Sequence, residues 1–215
     1  LISNIEKCKN IIKNKIIKPN QFSEISNFPK KILKLKGKSF TIDNKSCSVY
    51  YENLIQSKFK IVGREDPSYL LKSVKNKNEI KNMITAHVKD GVALTKFIYW
   101  LKKINKKKIT EVHAAKKLEK FRKINKNFLY PSFDTIAGSG KNGAIVHYRA
   151  QKETCRFINK KDIFLCDSGG QYKYGTTDVT RTICFSNQKQ NIKNIYTKVL
   201  KGHIAVATTN INKDD

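Results

Sequence analysis

Two aspartates that flank a glycine-rich stretch are the residues of this sequence best suited to do chemistry. Asp167 and Asp178 stand eleven positions apart, with Gly169, Gly170 and Gly175 between them. Carboxylates held close together at a partly buried site repel each other, which raises the pKa of one of them sharply. One or two divalent cations would relieve that repulsion, because hard cations prefer oxygen ligands. The pattern therefore suits a metal site, although an ordinary surface hairpin with two turn aspartates has the same spacing.

The elements needed to position these carboxylates are two strands that fold back on each other. Residues 163–167 and 178–185 are rich in apolar and β-branched side chains, and the glycines between them allow a turn. An antiparallel pair of this kind would set both carboxylates on one side of a sheet. A second pair is predicted at residues 133–138 and 144–148, joined through Gly-Ser-Gly-Lys-Asn-Gly.

Helices are predicted before and after these strands. Residues 79–100 carry apolar side chains at a 3.6-residue period, and Thr110 is suited to cap a second helix. A third helix is predicted at residues 192–207. The apolar stripe of the first helix, continued just past it, comprises Ile80, Met83, Ile84, Val88, Val92, Phe97, Ile98 and Leu101. Helices followed by antiparallel hairpins are typical of an α+β domain.

The N-terminal third of the sequence has a different pattern. A strand, a helix and a second strand are predicted at residues 35–43, 48–56 and 59–62. This order resembles the end of an α/β domain. The charged segment 64–67 follows and contains Pro67, which disfavours a helix. We therefore predict a domain boundary here, between residues 1–65 and 66–215.

The strong positive charge is spread along the chain rather than gathered in one segment. Among 215 residues, 44 Lys and Arg oppose 17 Asp and Glu, giving a formal net charge of +27. Lysines outnumber arginines 39 to 5, which argues against selection for bidentate phosphate or base contacts. We interpret the lysines as a solvated surface. Non-specific polyanion binding stays open, because the positive field acts on any polyanion.

Signals of membrane and disulfide-rich proteins are missing from the sequence. No apolar run approaches the ~18 residues of a membrane helix, and the first residues do not form a signal-peptide core. The five cysteines are scattered without CxxC spacing, which favours reduced thiols over a disulfide framework or a structural zinc site. These observations predict a cytoplasmic protein without a membrane anchor.

The glycine-rich segments also carry longer motifs. These are residues 133–148, and Asp-Ser-Gly-Gly-Gln-Tyr (167–172) followed by Thr-Thr-Asp-Val-Thr-Arg-Thr (176–182). Together they closely resemble Xaa-Pro aminopeptidases (aminopeptidase P), which are pita-bread metallopeptidases. Shorter matches upstream are Asp66-Pro67, Glu79-Ile80, Ala86-His87 and Asp90-Gly91. The similarity covers about residues 61–207. It implies a partial pita-bread catalytic domain from residue 66 onward, preceded by the end of a middle α/β domain.

The resemblance also implies an activity and roles for individual residues. Members of this family hold two divalent metal ions, usually manganese, and remove the N-terminal residue of peptides that have proline in second position. By matching position, Asp167 would bind one metal and Asp178 would bridge both. His147 matches the histidine that contacts the substrate near the scissile bond and helps proton movement. We further expect Arg181 to pair with a carboxylate of the site.

The sequence departs from the family in its remaining ligands. A histidine and two glutamates complete the five ligands of the family's site, and they lie downstream of the stretch that matches residues 192–207. His203 is the sole histidine after Asp178, and its position on the predicted helix favours packing over metal binding. We therefore expect a fragment that is weakly active or inactive by itself. Its uncovered apolar surface would favour association with a complementary piece or a second copy.

Two other functions stay open. A non-catalytic pita-bread remnant could serve as a binding module for a peptide, a partner or a polyanion. A prolidase-like or methionine aminopeptidase-like enzyme would share the paired aspartates. The Gly-Gly-Gln-Tyr motif and His147 favour the Xaa-Pro aminopeptidase over these relatives.

Overall fold

The structure, a computed structural model, describes residues 2–104 and 109–210 of the chain. They form two compact units, of which the first extends to Lys75 and the second begins at Asn76. This division lies ten residues after the boundary predicted from the charged segment. The assignment of residues 1–65 to a separate domain stays a prediction.

The first unit begins with two very short strands and two helices. Strand β1 (Ile2–Ser3) runs parallel to β2 (Ser23–Glu24), and helix α1 (Ile5–Lys13) connects them. The side chain of Asn4 caps α1 by accepting a hydrogen bond from the amide of Glu6. Helix α2 (Phe28–Lys34) follows and buries Ile32.

The strand, helix and strand predicted for the rest of this unit are confirmed. Strands β3 (Ser39–Ile42) and β4 (Lys60–Gly63) are parallel neighbours, and helix α3 (Val49–Gln56) connects them. They enclose a small core of Ile32, Ile42, Ile55 and Phe59. Helix α4 (Pro67–Ser73) follows β4. Its first residue is the proline that we expected to oppose a helix. Proline is tolerated there because the first amide of a helix has no intrahelical acceptor.

The second unit opens with the long helix α5 (Lys77–Lys103). Asn76 and Glu79 form a reciprocal capping box at its start. Its buried residues recur at helical spacing and are Ala86, Asp90, Ala93, Leu94, Phe97 and Leu101. The predicted stripe was therefore only partly right. Ile80, Ile84, Val88 and Val92 are at least half exposed. Apolar residues occupy both sides of α5, so periodicity alone did not show which side faces the core.

Helix α6 (Glu111–Lys123) packs beside α5 and begins where predicted. The hydroxyl of Thr110 accepts a hydrogen bond from the amide of His113. Its buried positions include Ala114 and Leu118, but also two charged residues, Glu111 and Arg122. Both carry buried polar networks that are described below.

Two three-stranded antiparallel sheets follow the helices. One consists of β5 (Phe128–Pro131), β8 (Gly170–Tyr172) and β9 (Gly175–Thr176), in the order β5-β8-β9. The other consists of β6 (Ile136–Ser139), β7 (Ile163–Ser168) and β10 (Val179–Cys184), in the order β10-β7-β6. The predicted pairing of residues 163–167 with 178–185 is confirmed, and the glycine-rich stretch between them forms the β8-β9 hairpin.

The strand predicted at residues 144–148 is wrong, and β6 pairs with β7 instead. Residues Gly140–Ala144 form a 3-10 helix that is followed by a turn. The two segments come too close for a regular hairpin. A Cβ added at Gly138 would lie 2.7 Å from the Cα of Gly143, and His147 has a φ of 54°, which lies in the left-handed region that turns use.

The last helix, α7 (Gln190–Ala207), confirms the prediction for residues 192–207 but buries none of its residues. Exposed apolar side chains along it include Ile195, Tyr196, Val199, Leu200 and Ile204. His203 is exposed as well, so the packing role expected for it is not seen among the described residues. Within residues 2–104 and 109–210, no helix combines the length and apolarity needed to cross a bilayer.

The core of the second unit lies between α5, α6 and the β10-β7-β6 sheet. Phe97 and Leu101 of α5 and Leu118 of α6 pack there against Phe164 and Cys166 of β7. Because side chains alternate along a strand, the neighbours of Phe164 and Cys166 point away from this core. Asp167 therefore lies on the sheet face opposite the helices.

Candidate metal-binding site

The two aspartates of the predicted site lie at the same end of the adjacent strands β7 and β10. In the antiparallel register of β7 and β10, Asp167 is directly opposite Thr180, and its Oδ1 accepts a 2.7 Å hydrogen bond from the threonine hydroxyl. Asp178 stands two residues before Thr180 and directly precedes β10, which begins at Val179; if the strand alternation continues by one residue, Asp178 shares the face of Asp167. In that arrangement the two aspartates would be diagonal neighbours, whose side chains are typically about 7 to 8 Å apart. Carboxylates at that spacing can reach a shared cation.

Their surroundings suit oxygen ligation of a metal. Asp167 is half-buried and Asp178 is exposed. No hydrogen bond or ion pair from any other described residue engages the carboxylate of Asp178. Hard divalent ions accept such carboxylates. Within the described part of the chain, however, no group of three or more His, Cys, Asp or Glu side chains is arranged to hold a metal. These residues therefore offer a pair of carboxylate donors.

Arg181 lies on the opposite face of the same sheet. It is paired across the strands with the buried Cys166, and its Nη1 donates a 2.7 Å hydrogen bond to the carbonyl of Thr180. The structure brings it to neither aspartate of the site. Its predicted pairing with a carboxylate stays a prediction.

A buried ion pair lies behind Asp167, on the helix side of the sheets. Asp90 and Arg122 are 2% and 1% exposed. Arg122 donates to both carboxylate oxygens, from Nε to Oδ1 at 2.7 Å and from Nη2 to Oδ2 at 3.0 Å. Nη2 also donates to Oγ of Ser168 at 3.1 Å, and the Tyr172 hydroxyl donates to Oδ1 of Asp90 at 2.6 Å. Bidentate pairs of this kind fix orientation as well as distance.

The backbone next to each aspartate is fixed by further hydrogen bonds. Thr177, which precedes Asp178, donates from its amide to the carbonyl of Gly170, and its Oγ1 accepts from the amide of Gly170, each at 2.9 Å. Its carbonyl accepts from Oγ of Ser132 at 2.9 Å. Gly169 has no room for a side chain, because an added Cβ would lie 1.9 Å from the Thr177 carbonyl oxygen.

The pKa values in this cluster are shifted in opposite directions by burial and by hydrogen bonds. Burial alone would raise the pKa of Asp90, but hydrogen bonds from Arg122 and Tyr172 outweigh it and hold the pKa below its usual value. Burial raises the pKa of Tyr172, and the hydrogen bond to the Asp90 carboxylate raises it further. Burial also raises the pKa of the Cys166 thiol to about 11. Asp90 is therefore ionised, while Tyr172 and Cys166 are neutral at pH 7.

A second buried carboxylate anchors the segment that carries His147. Glu111 is fully buried. Its oxygens accept hydrogen bonds from the amide of Ser139 at 2.7 Å, Nδ2 of Asn142 at 3.0 Å, the hydroxyl of Tyr148 at 2.7 Å and the amide of Arg156 at 2.9 Å. Burial and the nearby Glu111 raise the pKa of Tyr148 to about 12.

His147 itself is exposed and lies on the turn that Glu111 and Tyr148 hold in place. An exposed imidazole on an anchored turn can contact a substrate and exchange a proton with it. No distance from His147 to either aspartate follows from the register, so its part in a common site stays a prediction.

The buried charges were missed by the sequence analysis, although a signal was present. Asp90 occurs on the same helical face as Ala86, Leu94 and Phe97, and Arg122 follows Leu118 by four residues. A charged residue on an apolar stripe is rarely buried unless it is paired. Such positions could have been marked as candidates for an internal ion pair.

The fold matches solved structures of peptidases. The X-prolyl aminopeptidase of Caenorhabditis elegans, described as a cytosolic enzyme with a di-nuclear active site, superposes with a TM-score of 0.80 and 26% identity over 94% of this chain and 34% of its own. A prolidase from Pyrococcus horikoshii shares the fold over 93% of this chain and 55% of its own, with a TM-score of 0.74 and 24% identity. The fold is therefore part of a pita-bread peptidase fold, as predicted.

The sequence comparison gives the same class. The model of metallopeptidase family M24 matches residues 81–212, and the chain belongs to this family. Xaa-Pro aminopeptidase ApepP of Drosophila melanogaster is 43% identical over 164 residues, which are 75% of this chain and 27% of the relative. The predicted resemblance to Xaa-Pro aminopeptidases is confirmed. The chain spans about a quarter of the length of this relative.

Proposed function

We propose that this chain is part of a metal-dependent aminopeptidase that releases the N-terminal residue of peptides with proline in second position. One observation carries the proposal, namely the β7–β10 register, which sets Asp167 opposite Thr180 and brings Asp178, the residue before β10, to the same end of the strand pair. The identity of 43% to a Drosophila Xaa-Pro aminopeptidase supports the substrate class. The di-nuclear active site of the C. elegans relative supports a pair of metal ions.

In this proposal Asp167 and Asp178 hold two divalent ions, for which Mn²⁺ is our candidate. A bound ion of this kind supplies Lewis acidity, which activates water and polarises a peptide carbonyl. The Thr180 hydroxyl orients Asp167 through its hydrogen bond to Oδ1. His147 contacts the substrate near the scissile bond and accepts or returns a proton. The pairing of Arg181 with a carboxylate of the assembled site stays part of the proposal, although Arg181 lies on the opposite sheet face from Asp167 and donates to the Thr180 carbonyl.

We also propose that the chain is weakly active or inactive by itself. Its described residues contribute two carboxylates, whereas a hard cation takes about six ligands. The same observation favours the second candidate function, a non-catalytic remnant that binds a peptide, a partner or a polyanion. The exposed apolar side chains of α7 support association with a further polypeptide, which could be a second copy of this chain.

The cytosol is the proposed location. The C. elegans relative is described as a cytosolic enzyme. All five cysteines of this chain are free thiols, as is usual in reducing compartments.

The test is hydrolysis of an Arg-Pro-Pro peptide by the 215-residue chain as Mn²⁺ is added. We expect slow release of arginine that depends on Mn²⁺ and is lost in Asp178→Ala. Glu65→Ala, which removes an exposed carboxylate from the first unit, serves as the control and should match wild type. Mn²⁺-dependent activity that is equal in wild type and Asp178→Ala would remove the assigned metal role. Mn²⁺ binding without any hydrolysis would favour the non-catalytic function.

A further inference from the structure

We propose that Asp90, Arg122 and Tyr172 act as a positioning cluster that sets the separation between Asp167 and Asp178, and with it the affinity and size preference of the metal site. The proposal rests on the proposed function, because it takes the two aspartates as metal ligands. None of the three residues touches the metal in this account. They act through the backbone on either side of the glycine-rich hairpin.

Asp90 is the centre of the cluster because its carboxylate is bonded to both other members. Its Oδ1 accepts from Nε of Arg122 and from the Tyr172 hydroxyl, while Oδ2 accepts from Nη2 of Arg122. All three side chains are at most 2% exposed. Buried charges that are fully hydrogen-bonded in this way are rigid, since any displacement leaves a charge unpaired in a medium of low dielectric constant.

One arm of the cluster reaches the residue after Asp167. Arg122 donates from Nη2 to Oγ of Ser168 at 3.1 Å. Ser168 is completely buried, and strand alternation points it away from the face that carries Asp167. The guanidinium therefore holds the end of β7 from behind while leaving the metal face free.

The other arm reaches the residue before Asp178. Tyr172 ends β8, whose first residue, Gly170, exchanges two 2.9 Å hydrogen bonds with Thr177. Tyr172, at the other end of this short strand, donates to Asp90, so the carboxylate is connected to Thr177 through β8. One buried carboxylate is thus linked to the neighbours of both proposed ligands. A planar, bidentate guanidinium tolerates little change in either link.

The test is titration of the 215-residue chain with Mn²⁺, followed by the loss of the free-ion EPR signal. Tyr172→Phe and Ser168→Ala each remove one hydrogen bond and keep the Asp90–Arg122 pair, so both are expected to fold. We expect each to weaken Mn²⁺ binding about 10-fold, the lower end of the effect usual for residues that orient metal ligands. Asp178→Ala should abolish the binding.

Tyr148→Phe is the matched control. Tyr148 and Tyr172 both donate to a buried carboxylate, at 2.7 and 2.6 Å, but Tyr148 is bonded to Glu111 and not to the neighbours of Asp167 or Asp178. We expect its Mn²⁺ affinity to equal that of wild type. Repeating the titrations with Ca²⁺ in competition adds a second readout, because a change in ligand separation alters the Mn²⁺ to Ca²⁺ affinity ratio, whereas general loosening lowers both affinities together.

The outcomes separate the two proposals. If wild type binds Mn²⁺ and Asp178→Ala does not, but Tyr172→Phe and Ser168→Ala bind as wild type, the positioning role is wrong and the metal role stands. Equal weakening in Tyr172→Phe and Tyr148→Phe with an unchanged Mn²⁺ to Ca²⁺ ratio would also overturn the positioning role. Equal binding by wild type and Asp178→Ala would remove the metal role and the positioning role together.

Discussion

Gly169 packs directly against the carbonyl of Thr177, so that a Cβ at this position would lie 1.9 Å from the carbonyl oxygen. This contact closes the base of the glycine-rich hairpin, between the strand that ends after Asp167 and the residue that precedes Asp178. The close approach of the two chain segments that carry the proposed ligands therefore depends on a residue that has no side chain.

Gly169→Ala is predicted to destabilise the second unit. A methyl group cannot be accommodated without moving backbone, and we expect a loss of about 3 kcal/mol or more in the free energy of unfolding. Urea unfolding followed by the fluorescence of Trp100, the single tryptophan of the sequence, reports on this unit.

The matched control is Gly202→Ala. Apart from the adjoining residues and the nearby backbone of helix α7 itself, no atom lies within 4 Å of the Cβ that this change would add. We expect a gain of about 0.5 to 1 kcal/mol from helix propensity. If Gly169→Ala and wild type unfold at the same urea concentration, the hairpin can relax around a side chain and the prediction is wrong.

Removal of either member of the Asp90–Arg122 pair is predicted to lower the free energy of unfolding more than removal of any surface ion pair. Asp90→Asn leaves a buried guanidinium without its counter-charge, for which we expect a loss of about 3 to 5 kcal/mol. In comparison, Glu6→Gln removes the exposed partner of Lys9 and should change the free energy of unfolding by less than about 1 kcal/mol. Thermal unfolding followed by circular dichroism measures both. A small effect of Asp90→Asn would mean that water enters the cluster.

The stability of the second unit is predicted to fall at high pH partly through Tyr148. Its pKa is raised from 10.0 to about 12, so the folded state keeps a proton that the unfolded state releases above pH 10. The contribution of Tyr148 to the free energy of unfolding is therefore complete below about pH 10. It falls by roughly 1.4 kcal/mol per pH unit as the pH rises from about 10 to about 12.

Tyr148→Phe isolates this effect from lysine titration, which both proteins share. The difference in free energy of unfolding between wild type and the variant should therefore shrink between pH 10 and 12. Urea midpoints at pH 9, 10, 11 and 12 would reveal it, and a constant difference would contradict the raised pKa.

The thiols of Cys166 and Cys184 are predicted to react at very different rates. Cys166 is 1% exposed, and its pKa of about 11 keeps it protonated at pH 8, whereas the thiolate is the reactive form. Cys184 is exposed. Alkylation with iodoacetamide at pH 8, mapped by peptide mass spectrometry, should label Cys184 first and Cys166 only in urea. Similar rates in the native protein would show that the sheet opens readily.

The sequence was sufficient to predict elements whose pattern is local. The apolar and β-branched residues of 163–167 and 178–185 and the glycines between them predicted the β7–β10 pair, and the strand–helix–strand order before residue 63 was also correct. These segments carry their own period and their own turn residues.

Features that depend on distant contacts were not predicted. Asp90 and Arg122 are 32 residues apart, and Glu111 and Tyr148 are 37 apart, so no local period links them. The side of α5 that faces the core was also misjudged in part, because apolar residues lie on both sides of this helix. The false strand at residues 144–148 had a suitable composition but is held as a turn by Glu111.

The exposed apolar side chains of α7 have a consequence for the rate at which this chain is degraded in a cell. Chaperones and quality-control proteases select polypeptides by exposed aliphatic and aromatic groups of the kind that Tyr196, Val199 and Leu200 present. We therefore expect the half-life of the polypeptide to depend on how quickly a binding surface shields this helix. A pulse-chase comparison of wild type with Val199→Lys would measure that dependence.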